Sequence, residues 1–349
     1  MNYFIAFVAS LVLSLLATPM IEKLAIRMGA IDDPKESARK IHKTIIPRAG
    51  GVVFFGLFFL LTLVLLPTRP ANFGGLFIAC ALVFGIGLWD DFQRVSPWIK
   101  LAVQMIAAVI AVVGFGIRVE VISNPFGQQW DLTQLSFGLG QMVLPAISVA
   151  FSVIWLVGMT NTINFLDGLD GLAGGVSAVA AFILFLVALL PRINQPETAM
   201  MAIILFGVCL GFLRSNFHPA SIFLGDSGAY FLGMLLGLLS IISGAKLATA
   251  LLVLGVPVLD AVWAVVRRLA TGKSPFSADR GHIHHLLLDV GLSQKQAVLL
   301  IYALALVFGL VALLGDGQTK VYALSTLLLV VIAGVAGLLY IRRSKRSTD

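Results

Sequence analysis

Eleven apolar runs follow one another along the chain, at about 2–22, 51–66, 72–90, 98–117, 142–160, 171–190, 199–215, 227–244, 247–267, 296–314 and 320–341. An α-helix needs roughly 20 residues to cross about 30 Å of hydrocarbon, and most of these runs reach that length. The pattern predicts an all-α polytopic integral membrane protein of about eleven transmembrane helices. The run 51–66 is short and has to stand nearly upright or in a thinned region of bilayer. The first run opens Met1-Asn2-Tyr3, with no basic lead, and is expected to be a retained helix.

Composition removes the main alternatives. The 349 residues are 59% hydrophobic and 12% charged, where soluble domains run near a quarter charged and under half apolar. A soluble enzyme is excluded, and so is a disordered or collagen-like chain. The loops are too short for a separate soluble domain, which leaves one integral-membrane domain over 1–349. Cys80 and Cys209 both lie in apolar runs and read as small lipid-phase residues, without metal-ligand spacing.

The net charge of +7 would suggest nucleic acid on a soluble protein. Here it has another source. Eleven crossings alternate the connecting segments between two faces, and one face collects 19 of the 24 Lys and Arg residues. That face is cytoplasmic, so the N-terminus is outside, the C-terminus inside, and no nucleic-acid partner is implied. The other face is nearly bare: a stretch from Val119 to Leu139, with a turn at Asn124-Pro125-Phe126-Gly127, predicts a small extracytoplasmic hairpin.

The same sorting places the candidate chemistry. All five histidines and the clustered aspartates fall on the cytoplasmic face. Asp90 and Asp91 close an apolar helix at its C-terminal end, where the dipole disfavours negative charge and adjacent carboxylates raise one another's pKa. A divalent cation or a cationic partner would offset both effects. Asn161, Asn164, Asp167 and Asp170 recur every three residues between two membrane helices, among glycines that let backbone approach a ligand. Polar side chains at a membrane boundary are costly, which marks this stretch as a site. Asp226 stands where a helix begins and reads either as an N-cap or as a metal–phosphate platform. Ser277 to His285 brings Arg280, His282, His284 and His285 together for anion or sugar recognition; no thiolate or HExxH pattern supports zinc. Arg39, His42, Lys43 and Arg48 form a basic stretch open to two readings, phosphate contact or ordinary positive-inside charge. Asp260, two turns from Arg267, suits either a structural pair or the site.

GLWDDF at 87–92, NFLDGLDGLAGG at 164–175, FLGDSG at 223–228 and SADRGHIHH at 277–285 occur in that order in a stretch from about 30 to 345. This set resembles the polyprenyl-phosphate N-acetylhexosamine-1-phosphate transferases, the WecA/TagO-like branch of the superfamily that also holds the muramyl-pentapeptide transferase MraY. The resemblance implies transfer of N-acetylglucosamine 1-phosphate from UDP-N-acetylglucosamine to undecaprenyl phosphate, with release of UMP, at the cytoplasmic face of the inner membrane. It implies Mg²⁺, with Mn²⁺ as a substitute, held by Asp226 and Asp167. Catalytic roles fall to Asp90, Asp91, Asp167 and Asp170. Asn164, Asn216, Phe223, Arg280, His282, His284 and His285 would contact the donor, with His42, Lys43 and Arg48 near phosphate. The bilayer is the other partner, and a homodimer is compatible with the reading.

Two other classes fit the pattern less well. A secondary transporter places its sites near the bilayer midplane on broken helices in repeated halves, whereas these acids sit at cytoplasmic helix ends. A scaffold protein has no use for a convergent set of acids and histidines.

Overall fold

Each of the eleven apolar runs folds as helix in the computed structural model, which describes residues 2–32, 34, 45–123, 128–139, 142–243, 247–272, 274, 281–315 and 317–346. The first eight runs give α1 (Tyr3–Met28), α2 (Gly50–Leu65), α3 (Phe73–Phe92), α4 (Pro97–Val109, continued by a π-helical turn Ile110–Gly114), α5 (Ala146–Leu166), α6 (Leu172–Ala188), α7 (Pro196–Asn216) and α8 (Gly225–Ile242). The ninth is divided into α9 (Leu247–Val253) and α10 (Gly255–Ala270); a short α11 (Ile283–Asp289) then precedes α12 (Gln294–Leu314) and α13 (Gly317–Arg346). Among the described residues eight helices are long and apolar enough to cross a membrane, while α2 and α6 are shorter, at 16 and 17 residues.

Two runs differ from the expectation, each for a local reason. The ninth was read as one helix, but Pro257 has no N–H to offer the Val253 carbonyl and its ring crowds that position. The helix stops there and restarts at Gly255. The fifth starts late because 142–145 is strand. Three antiparallel ribbons occur: β1 (Ile31–Asp32) with β2 (Ile46–Pro47), β3 (Val121–Ser123) with β4 (Gln129–Asp131), and β5 (Ser136–Leu139) with β6 (Met142–Pro145). The predicted hairpin is thus a pair of ribbons; its turn at 124–127 lies outside the described residues.

Helix α8 is the centre, with 83% of its apolar window buried, and α7 follows at 72%; α13, at 11%, has most of its surface left for lipid. Lipid supplies no hydrophobic force between helices, so close packing of small residues does the work. Gly207 and Gly211 of α7 lie against Ser10 and Ser14 of α1, and Ser14 Oγ donates to the Val208 carbonyl at 2.8 Å. The start of α8 is clamped more tightly still. A Cβ on Gly87 of α3 would lie 2.6 Å from Ser227 Cα, and one on Gly51 of α2 would lie 2.4 Å from Gly228 N. Backbone bonds stitch the same place: Phe223 N–H donates to the Pro47 carbonyl at 2.8 Å, and Gly50 and Gly51 N–H donate to the carbonyls of Phe223 and Leu224, each at 3.1 Å. The C-terminal ends of α3 and α5 and the N-terminal ends of α4 and α8 therefore meet at one face.

Candidate active site

Asp226 is the second residue of α8, yet it does not cap that helix. The cap comes from α3. Asp91 accepts the N–H of Asp226 at 2.7 Å, the N–H of Ser227 at 3.1 Å and the Ser227 hydroxyl. A buried carboxylate is tolerable here because a helix N-terminus presents unpaired donors and a positive dipole end. Gly225 makes the approach possible: its φ is +75°, and a Cβ there would meet Asp91 Oδ2 at 2.6 Å.

With capping assigned to Asp91, the Asp226 carboxylate is turned to the site. Its Oδ1 accepts from Asn164 Nδ2 at 3.1 Å, and its Oδ2 accepts from Lys100 Nζ at 3.0 Å. Lys100 also pairs with Asp90 Oδ2 at 3.2 Å, and Asp90 Oδ1 accepts the Val95 N–H at 2.7 Å. The two adjacent aspartates thus have opposite assignments. Asp91 is 6% exposed and holds α8 in place; Asp90 faces the cation. The offset that the sequence demanded for this pair is a lysine and a helix terminus.

Lys100 was visible in the sequence only as one more basic residue of the rich face. The signal that could have singled it out is its place in the first turns of α4, where a helix dipole disfavours a cation. Such a lysine needs an anionic partner from elsewhere.

Asp167 ends α5 and lies in the field of Asp226, Asp91 and Asp170, with Arg48 opposing them. Burial first, and then the Asp226 charge, push its pKa up to about 8. The carboxyl therefore binds a proton in the folded chain that it has lost in the unfolded chain between its ordinary value of 3.8 and about 8. Across that window this group makes stability fall as pH rises. Melting temperatures measured without divalent metal should fall with pH more steeply for the wild type than for Asp167→Asn; parallel curves would remove Asp167 as the cause.

The other sequence candidates are placed as follows. Arg48 pairs with Asp32 at 3.0 Å. Asp170 accepts from Ala220 N–H at 3.2 Å and pairs with His218 Nδ1 at 2.7 Å. Asn216, 2% exposed, donates to the Ile222 carbonyl at 2.9 Å and so braces the loop that carries half-buried Phe223. Asn161 does not join Asn164: it donates to Gln104 Oε1 on α4 at 2.6 Å and to its own helix at Val157. The three-residue spacing fails as a single face because each step of three falls about 60° short of a full turn, and because α5 ends at Leu166, so that Asp167 and Asp170 lie beyond it. His42, Lys43 and Arg280 lie outside the described residues.

The histidine group is split by its partners. His282 is turned inward, its Nδ1 donating to Asp260 Oδ2 at 2.9 Å and its Nε2 accepting from Arg268 at 3.2 Å. Asp260 also accepts the Ile283 N–H at 2.8 Å, so its role is to orient this segment, and its partner is His282 rather than Arg267. His284 is 2% exposed, and neither ring nitrogen has a hydrogen-bond partner among the described residues. Burial, followed by the charges of His285 and His282, holds its pKa well below the usual histidine value, so the ring is neutral. A Cβ on Gly168 would lie 2.4 Å from His284 Nε2, which brings the histidine segment against the loop of Asp167 and Asp170. Gly168→Ala should displace the ring and lower kcat by about 10-fold or more while a Gly168→Ala/His284→Ala double variant loses little beyond His284→Ala alone; additive losses would show that the two do not touch.

Among the described residues no three His, Cys, Asp or Glu side chains form a closed metal cage. Two carboxylates, Asp90 and Asp226, instead converge on one cation, Lys100.

Comparison with known proteins gives the family. Residues 73–244, which carry the paired aspartates, Lys100, the 164–175 loop and Asp226, match the glycosyl transferase family 4 profile. A probable undecaprenyl-phosphate N-acetylglucosaminyl 1-phosphate transferase of Bacillus subtilis is 34% identical over 94% of this chain and 89% of its own length. A decaprenyl-phosphate N-acetylglucosaminephosphotransferase of Mycobacterium tuberculosis is 34% identical over 83% of this chain and 77% of its own. An undecaprenyl-phosphate alpha-N-acetylglucosaminyl 1-phosphate transferase of Yersinia pestis is 29% identical over 85% and 80%. The chain belongs to glycosyl transferase family 4, among the polyprenyl-phosphate N-acetylglucosamine-1-phosphate transferases.

Proposed function

We propose that the protein transfers N-acetylglucosamine 1-phosphate from UDP-N-acetylglucosamine to undecaprenyl phosphate, at the cytoplasmic face of the inner membrane, with Mg²⁺. The observation that carries the reading is the convergence of Asp90, Asp226, Asn164 and Lys100 at the ends of four apolar helices. An acceptor whose tail lies in the bilayer and a donor from water can meet only at such a boundary.

An oxygen of the lipid phosphate attacks the β-phosphorus of the donor. The bond from that phosphorus to the bridging oxygen breaks, and UMP leaves with both electrons of that bond. The lipid phosphate is largely ionised at neutral pH and needs little base. The larger obstacle is repulsion between the two anionic substrates, which positioning and charge neutralisation overcome. Lys100 brings one positive charge to this place, and Asn164 fixes the Asp226 carboxylate. Asp226, with Asp167 beside it, would hold Mg²⁺, which supplies neutralisation of phosphate charge when bound. Asp90 is the carboxylate on the site side of the pair and is positioned to meet the acceptor phosphate. His284, neutral and without a hydrogen-bond partner among the described residues, can donate or accept one hydrogen bond to the donor sugar or its phosphates; His282 acts through its hold on the segment.

Donor labelled with ³²P at the β-phosphate tests the reaction class. The label should move into the organic phase with undecaprenyl phosphate; label retained in water while sugar enters the lipid would mean transfer of the sugar alone. Orientation has its own test. Native Cys80 and Cys209 are buried, so single cysteines can be read against a quiet background. Arg94→Cys, in the loop after α3, should react with a membrane-impermeant maleimide only from the cytosolic side, and Arg192→Cys only from outside; the reverse would invert the topology.

A further inference from the structure

The ends of α3, α4, α7 and α8 opposite the carboxylate cluster line an open cavity of about 700 Å³. It is lined by Pro70, Ala71 and Asn72 before α3, Gly114 and Phe115 after α4, Gln195, Glu197 and Thr198 at the start of α7, and Ile242 at the end of α8. Helix α3 has 20 residues, so the two sites are about 30 Å apart, on opposite sides of the membrane. Nothing in the transfer reaction uses this place.

Its chemistry is one-sided. Among the described residues Glu197 is the one formally charged member of the lining, and it accepts the Thr68 hydroxyl at 3.2 Å. The Thr198 hydroxyl proton is spent on Gln195 Oε1 at 3.3 Å, so Thr198 presents its lone pairs. The Asn72 side-chain oxygen is buried and has no hydrogen-bond partner among the described residues. The Glu197 carboxylate and the Thr198 hydroxyl oxygen offer acceptors beside the amides of Asn72 and Gln195, and a negative charge is fixed among them. Phe115 completes the wall, held against Gly74 and Gly75 of α3, and an aromatic face favours a cation. An anion is repelled here; a quaternary ammonium would suit Glu197 and Phe115 but bring no N–H to the acceptors. A primary ammonium satisfies both demands, with three donors and one charge. Because the cavity opens where apolar helices end, at head-group depth, the membrane itself is the nearest source of such a group.

We propose that this cavity binds the head group of an aminophospholipid, with its primary ammonium among Glu197, Asn72 and Phe115. The test reads lipid retention and not turnover, so it is independent of the proposed reaction. The full chain is placed in nanodiscs of equal parts phosphatidylethanolamine, phosphatidylcholine and phosphatidylglycerol, and the lipids that stay bound on ejection are weighed by native mass spectrometry. Phosphatidylethanolamine should be retained over each other lipid by about fivefold or more, falling to parity in Glu197→Gln and in Asn72→Leu, with gel-filtration profiles unchanged. Equal retention of the three lipids by the wild type overturns the proposal, as does a preference that survives either substitution in a folded protein. Glu197-dependent binding of free ethanolamine in discs of phosphatidylglycerol alone, with no preference among the lipids, would assign the cavity to a soluble amine and overturn the lipid assignment. Should Glu197→Gln not fold, Asn72→Leu decides alone.

Discussion

Asp226→Asn is expected to fold normally and to lose about 10²–10³-fold in kcat, the scale seen when one preorganised electrostatic group is taken from a transition state. The substitution is nearly isosteric. The new side chain can still accept from Asn164, and the capping of α8 is untouched because Asp91 performs it through the backbone N–H groups of 226 and 227. What disappears is one negative charge facing Lys100 at 3.0 Å. The melting temperature should change little while the requirement for divalent metal rises to higher concentration. Near-normal turnover in the variant would remove Asp226 from the metal and phosphate chemistry altogether.

Asp91→Ala should do the reverse and act first on the fold. Three donors that now share its carboxylate, two backbone N–H groups and the Ser227 hydroxyl, would be left buried without an acceptor. Removing one partner of a buried charged network costs about 3–5 kcal/mol, a large part of an ordinary 5–15 kcal/mol of stability. Asp90→Ala should leave the melting temperature nearly unchanged and depress kcat, because its partners Lys100 and Val95 N–H remain partly open to water. Thermal melts and kinetics on the two variants separate the roles. Equal melting temperatures for Asp90→Ala and Asp91→Ala would contradict the division.

The sequence and the structure agree where a local rule decides the outcome. Apolar length located every helix except the short α11, since lipid leaves few alternatives to a continuous backbone hydrogen-bond ladder. It could not foresee the break before Gly255, which depends on the single missing N–H of Pro257, nor the strand at 142–145, whose apolar residues look like more of the same helix. The site residues were legible because carboxylates and imidazoles are conspicuous at membrane boundaries. Their partners were not. Nothing in Asp90-Asp91 says which of the two caps α8, since the helix it caps begins 134 residues later in the chain, at Gly225. Lys100 was hidden among other basic residues, and Asp260 met His282 across a loop rather than along its helix. Spacing misled once: Asn161 belongs to the α4 interface through Gln104, because a step of three falls about 60° short of a full helical turn and so turns it away from Asn164.

The central claim is the identity of the transferred group and its donor. Purified protein, given undecaprenyl phosphate and Mg²⁺, is to be supplied in parallel with UDP-N-acetylglucosamine and with the muramyl-pentapeptide nucleotide at equal concentration, and UMP release is followed. The account predicts robust UMP release from UDP-N-acetylglucosamine, one UMP for each lipid-linked N-acetylglucosamine 1-phosphate formed, and none from the peptide-bearing donor. Turnover of the muramyl nucleotide with none of UDP-N-acetylglucosamine would contradict it.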